Sequence, residues 1–194
     1  MAFSTFNIFD LLETGGADKL ATLLSGFSCP VNPEIERFVV QNAIDFARKK
    51  ISISYFVLNS LHEIVGFFAL THKPAFVDIG ALGSKTLGKK LERYCGGYRV
   101  ENRYLISAFL IAQFGKNQSP LSGEAISGNE LMDCVFEALY DVQRRIGGGI
   151  IFLECENKEK LLAFYQNTHN RFVQYGCRRD LNTNTEYIQL LRAF

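Results

Sequence analysis

From Arg103 the chain reads RYLISAFLIA, a run apolar at odd and even positions alike. A strand with two apolar faces sits inside a sheet that helices cover on both sides. A polar loop follows, then a helix from Glu130 in which Leu131, Val135, Leu139, Val142 and Ile146 form one stripe beside Met132, Phe136 and Tyr140. Gly147, Gly148 and Gly149 stop it, and IIFLECE (150–156) reads as the next strand. Strand, helix and strand in that order close as a right-handed crossover between parallel neighbours, which makes the class α/β.

On either side of this unit the pattern changes. Residues 33–50, PEIERFVVQNAIDFARKK, place Ile35, Phe38, Val39, Ala43, Phe46 and Ala47 on one helical stripe behind Pro33, a residue suited to a first turn. A shorter helix is expected between Phe9 and Leu24. ISISYFVL (51–58) and EIVGFFAL (63–70) are rich in β-branched and aromatic residues and are separated by NSLH, which predicts an antiparallel hairpin. Residues 73–100 are mixed, with a short helix around Leu87–Arg93 before a Gly96-Gly97 break, and are expected to form an insertion or flap. After IIFLECE come a helix, KEKLLAFYQNT (158–168), and two strands near RFVQYGC and TEYIQLLRAF. The expected sheet is therefore mixed, a βαβ centre flanked by antiparallel pairs, in one domain covering 1–194.

Composition removes several function classes. Lys and Arg number 21 against 20 Asp and Glu, so no global field draws the chain to a polyanion or an acidic membrane. The five cysteines, Cys29, Cys95, Cys134, Cys155 and Cys177, are scattered, odd in number and lack a C-x-x-C pair. That pattern argues for reduced thiols in the cytoplasm and against a metal centre. The N-terminus, MAFSTFNIFDLLETGG, has no basic stretch ahead of its apolar residues, and no apolar run is long enough to span a bilayer. A cytoplasmic protein without a membrane partner is expected.

The segment LIAQFGKNQSPLSGEAISGNELMD (110–133) connects the central strand to its helix. Ser127 and Glu130 are spaced as a capping box, each satisfying the other's main-chain donor. The amides of Gly128 and Asn129 then remain at the helix start, whose dipole end is positive and favours a phosphate. Gly115 and Gly123 permit close backbone approach, and Lys116 offers a positive charge. A capped surface helix after a loop is the plainer explanation. What favours an anion seat is its place at the carboxyl end of a central parallel strand.

EIVGFFAL, YLISAFLIAQ, the loop with its capped helix, and IIFLECENKEKLLAFYQN together resemble the GNAT family of N-acetyltransferases, over nearly the whole chain from Phe27 onward. The resemblance implies a three-layer GNAT-like fold of the acyl-CoA N-acyltransferase type, with about six or seven mixed strands flanked by helices. It also implies acetyl-CoA as co-substrate. In that family the central strand splays from its neighbour and holds the pantetheine arm by its main chain, which assigns Leu110, Ile111, Ala112 and Gln113 to that arm. Lys116, Asn117, Ser127, Gly128, Asn129 and Glu130 are assigned to the pyrophosphate. The family's loop reads Q/R-x-x-G-x-G/A. Aligning Gly128 with the last small residue puts Ile126 at the middle glycine and Gly123 at the Gln/Arg position; alternatively, Gln113 opens the motif and QSPLSGEA is inserted.

LECENKEKLLAFYQN is similar to the family's strand and helix that end in a tyrosine, whose hydroxyl protonates the departing CoA thiolate, and Tyr165 occupies that slot. A phenol, with a pKa of about 10 against roughly 8.5 for a thiol, holds its proton until the sulfur needs it. The opposing reading has Tyr165 merely packing its helix with Leu161, Leu162 and Phe164. THNRF stands where the family has Gly and Phe after the tyrosine. Glu154 and Glu156 share one face of their strand and Cys155 points to the other. Glu154 is thus the candidate general base, with Glu156 as alternative and a structural ion pair as the competing role. Cys155 reads as a small buried hydrophobe rather than a nucleophile. His62, His72 and His169 do not cluster, so no metal is expected.

The chemistry this implies is direct attack of a neutral amine on the thioester carbonyl, polarised by a strand amide near Ile111. The acceptor is expected to be an amine-bearing small molecule, peptide or protein, and homodimerisation is left open. Near-neutral charge weighs against nucleic acid. Yet GFSCPVNPEIERFVVQNAIDFARKKISISYFVL, followed by IVGFFALTHK, resembles the N-terminal layout of GNAT toxins that acetylate charged tRNA. The basic runs ARKK (47–50), KTLGKKLER (85–93) and CRRD (177–180) keep that alternative open. A third reading is a GNAT-like module that binds CoA without catalysis.

Overall fold

The computed structural model describes residues 3–80 and 82–194. In chain order the elements are β1 (Ser4–Asn7), α1 (Ile8–Leu24), α2 (Pro33–Arg37), α3 (Ala43–Arg48), β2 (Ile53–Leu58), β3 (Ile64–Asp78), α4 (Lys85–Cys95), β4 (Arg99–Val100), β5 (Arg103–Lys116), α5 (Gly128–Ile146), β6 (Ile150–Glu156), α6 (Glu159–Tyr165), β7 (Val173–Arg179) and β8 (Glu186–Ala193). The strands form one mixed sheet ordered β1-β2-β3-β5-β6-β8-β7, with β4 paired to β5. β5 and β6 run parallel while β2–β3, β6–β8 and β7–β8 are antiparallel, so the expected crossover through α5 is present. The chain divides into two compact units, Met1–Thr71 with Ile111–Ala138 and His72–Leu110 with Leu139–Phe194.

In the first unit, Asn7 opens α1 by accepting from the amides of Phe9 and Asp10, while Asp10 accepts from the amide of Asn7. Gly16 interrupts that helix at φ 74°, a conformation that costs glycine little. The stripe predicted over 33–50 is buried at Ile35, Phe38, Val39, Ala43 and Ala47. A π-helical turn, Phe38–Asn42, joins α2 to α3. The apolar spacing explains it: Ile35, Val39, Ala43 and Ala47 recur every four residues, a period that drifts about 40° per repeat on an ideal α-helix and that one wider turn corrects. Phe67 lies at the centre of this core, with Phe27, Phe38 and Phe56 rings at 5.6, 6.0 and 6.1 Å. Each such buried ring contributes roughly 1.5–3 kcal/mol.

In the second unit, Ala75 and Val77 of β3, Leu91 and Cys95 of α4, Tyr104 and Ile106 of β5, and Ile150 and Phe152 of β6 share one core. The stretch 73–100, expected as an insertion or flap, therefore contains the end of β3, whose extent had been set at Leu70, and a helix that buries two side chains. β6 pairs with β8 over its whole length, from Ile150↔Ala193 to Glu156↔Tyr187. α6 ends at Tyr165, three residues before the predicted boundary.

Candidate active site

The helix start at 127–130 forms as its spacing predicts. Ser127 donates its amide to Glu130 Oε2 at 2.8 Å, and Ser127 Oγ accepts from the Glu130 amide at 3.2 Å. The Ser127 side chain, and after it the Ser127 main-chain amide, hold the Glu130 carboxyl below the usual carboxylate range. Gly128 is the first helical residue of α5, so its amide has no intrahelical acceptor.

The loop ahead of that helix is fixed by residues far away in sequence. Asn117 Oδ1 accepts from the amides of Ser28 and Ser119, both at 3.0 Å, and Nδ2 donates to the Ile64 carbonyl at 2.7 Å. Ser119 Oγ donates to the Gly26 carbonyl at 2.5 Å. Further along, the amides of Ser122 and Gly123 donate to the two oxygens of Glu63, each at 2.8 Å. Asn59 Nδ2 donates to Glu63 Oε2 at 2.7 Å, and Asn59 Oδ1 accepts from the amides of Leu61 and Glu63. The Asn59 amide, then the Ser122 and Gly123 main chain, lower the Glu63 pKa. Ile126 is buried and anchors the loop just before the helix.

In the second unit, the ladder between β5 and β6 comprises Phe109↔Ile151 and Leu110↔Phe152. On its other side β6 stays paired to β8 out to Glu156. Tyr165 closes α6 and is buried, with the rings of Phe164 and Phe172 edge-on at 5.0 and 5.9 Å and its carbonyl accepting from the Phe172 amide. Burial, and secondarily Cys155, push its phenol well above the ordinary tyrosine value, so the proton stays on. Burial also raises the Cys155 thiol, to about 11, with Glu156 adding to the effect. Glu154 Oε2 accepts from Arg178 Nε and Nη2 at 2.9 and 2.6 Å, and Oε1 accepts from Gln189 Nε2 at 2.7 Å. Burial raises the Glu154 pKa, but these bonds and the Arg178 charge outweigh it, and the net shift is downward.

No family model matches the sequence, and no curated protein matches it. Solved structures do match in fold. A tyrosine-to-phenylalanine variant of KacT superposes with a TM-score of 0.66 at 19% identity, covering 100% of this chain and 95% of that one. The same kind of variant of the AtaT toxin, bound to the C-terminus of the antitoxin AtaR and acetyl-CoA, gives 0.61 at 15% identity, covering 100% and 94%. AtaT complexed with acetyl-methionyl-tRNAfMet gives 0.57 at 19% identity, covering 84% and 85%. The chain has the GNAT fold.

Within this GNAT fold the expected site residues meet the following surroundings. β5 continues through QFGK, so Gln113 lies on the strand as the resemblance implies, and Lys116 ends that strand rather than standing in the loop. Along that strand Ile111 is buried while Ala112 and Lys116 are exposed, with Leu110 and Gln113 between. Gly115 does not clear space for a phosphate: a Cβ there would lie 2.9 Å from the Ile35 side chain. Gly123 likewise makes room for Asn59, whose Nδ2 would be 2.5 Å from an added Cβ. The Asn117 side chain, expected at the pyrophosphate, is taken up by Ser28, Ser119 and Ile64. Glu154, the candidate base, forms an ion pair with Arg178 on β7. Glu156 pairs with Lys158. Cys155 stays a protonated, buried thiol. Among the described residues, no three His, Cys, Asp or Glu side chains group as metal ligands, and no helix is long and apolar enough to cross a membrane. Asn59 and Glu63 escaped the sequence reading; an Asn opening the NSLH turn was the only trace of them, since such side chains cap their own turns.

Proposed function

We propose that this protein is an acetyl-CoA-dependent N-acetyltransferase whose acceptor is the amino group of a charged tRNA. The observation that carries the acetyl-transfer reading is the GNAT fold with Tyr165 buried at the end of α6. In this reading the main chain of Leu110, Ile111, Ala112 and Gln113 holds the pantetheine arm. Lys116 and the turn Ser127, Gly128, Asn129 and Glu130 receive the pyrophosphate. A neutral amine attacks the thioester carbonyl, the carbon–sulfur bond breaks, and Tyr165 donates to the sulfur while the nitrogen gives up a proton in return. The raised phenol pKa means that Tyr165 first stabilises the developing thiolate by a hydrogen bond, with full transfer once the nitrogen's proton is available. No carboxylate base is assigned.

Two observations support the acceptor. AtaT, a neighbour in fold, was captured with acetyl-methionyl-tRNA. Within the second unit, residues 72–103 hold seven basic residues against three acidic ones in a chain of net charge +1. Tyr94, Tyr98 and Phe76 are exposed there, and the Arg103 guanidinium lies 5.4 Å over the Phe76 ring. Cations beside exposed rings suit phosphates and unstacked bases. A cytoplasmic site of action belongs to the same reading. Incubation with labelled acetyl-CoA and aminoacyl-tRNA, against a panel of small amines and peptides, tests it: label in the aminoacyl ester supports the tRNA acceptor, and label only in small amines or peptides replaces it.

A second reading, a CoA-binding module without catalysis, is favoured by THNRF standing where the family has Gly and Phe after the tyrosine. Thermal stabilisation by CoA without acetyl transfer to any amine would select it.

A further inference from the structure

The course of the loop from β5 to α5 is fixed at many points. Successive amides at Ser122 and Gly123 converge on one carboxylate, Glu63, which also accepts from Asn59. All three donors are neutral. Asn59 Nδ2 reaches the Glu124 carbonyl at 3.3 Å as well, so the residues on both sides of Gly123 are held. Gly123 has no room for a side chain, because Asn59 fills that space. From there only Glu124 and Ala125 separate the anchored crown from buried Ile126, and Ser127 then starts the helix.

We propose that Glu63 is a positioning residue for the CoA pyrophosphate: its carboxylate sets the path along which the loop delivers the Gly128 amide at the start of α5. This rests on the acetyl-CoA reading above. The carboxylate organises the loop from behind and does not stand in for the phosphate. It is held by the β2–β3 turn through Asn59, and its partners lie at the loop's crown, upstream of the helix start. Pre-organisation of this kind lowers the ordering cost of binding and leaves the chemical step alone.

The test combines calorimetric titration of CoA with amide hydrogen exchange at Ser122 and Gly123, for the wild-type chain, Glu63→Ala and Glu63→Gln. Expected is a roughly tenfold weaker affinity for Glu63→Ala, faster exchange at both amides, and a raised KM for acetyl-CoA at unchanged kcat. Glu63→Gln, which keeps one acceptor oxygen, falls between. An alanine variant that loses protection at both amides yet binds CoA as tightly as wild type overturns the role. Tighter binding overturns it too, by showing that the carboxylate competes with phosphate. If Glu63→Ala does not fold, Glu63→Gln decides by the same comparison. A wild-type chain that takes up no CoA sinks the acetyl-CoA reading and this proposal with it, whereas wild-type binding beside an unaffected variant sinks only this proposal.

Discussion

Two carboxylates, Glu63 in the first unit and Glu154 in the second, each centre a hydrogen-bond knot, and the knots differ in kind. Among the described residues Glu63 is bound by neutral donors alone, two of them main-chain amides of a loop. Glu154 of β6 is bound by the Gln189 amide side chain of adjacent β8 and by the Arg178 guanidinium of β7, one strand further on. In the first knot the carboxylate shapes backbone and its charge remains uncancelled. In the second the charge is cancelled, so the group gains stability and loses basicity. A carboxylate in a candidate active site is therefore not a base by position; the partners it meets decide.

The comparison bears hardest on the segment from β6 to α6, which carries Glu154 and Tyr165. If Glu154 is structural, the proton chemistry there rests on the phenol. Tyr165→Phe keeps the buried ring with Phe164 and Phe172 around it, so fold and CoA affinity should hold. Acetyl transfer should fall by at least about a hundredfold, the scale of a lost general acid. Steady-state turnover beside calorimetric CoA binding checks this. A variant with wild-type turnover returns Tyr165 to packing alone.

These two knots also show what can be read from sequence. Ser127 and Glu130 sit within one helical turn, and the βαβ unit from Arg103 to Glu156 is a contiguous pattern, so both were visible. The fate of Glu154 was set by Arg178 and Gln189, and that of the loop by Ser28, Asn59 and Glu63. No local periodicity links such distant positions. The extension of β5 to Lys116 was hidden for a different reason: QFGK has a glycine and polar residues that read as loop, and only packing of Gly115 under Ile35 makes it strand. β1 was missed because STFN is short and exposed at three of its four positions.

Asn59→Ala probes the neutral knot. Asn59 is 3% exposed, and its Oδ1 satisfies two amides, so truncation leaves two part-buried donors without that acceptor. The expected loss is about 1–3 kcal/mol, a fall in Tm of roughly 3–10 °C for a chain of this size. Gln189→Ala, which leaves Arg178 on Glu154, should cost less than about 1 kcal/mol. Thermal unfolding of both variants compares them directly. Equal losses would erase the distinction between a carboxylate that organises backbone and one that is simply paired.

The smallest effect concerns the pH dependence of the charged knot. The folded Glu154 pKa lies below the ordinary 4.5. A group depressed in the folded state adds stability above its unfolded pKa and loses it as pH falls through the folded value. Glu154→Gln removes that contribution. The Tm difference between wild type and variant should thus be constant from neutrality down to about pH 5 and shrink below about 4.5. Its size is modest, because the Arg178 and Glu154 side chains are 46% and 27% exposed and water screens them. About 0.5–1 kcal/mol is expected. Acetyl transfer by Glu154→Gln should stay near the wild-type rate at every pH. A steep loss of turnover in a variant of near-wild-type stability would instead mean that the ion pair opens during the reaction, making Glu154 a base after all.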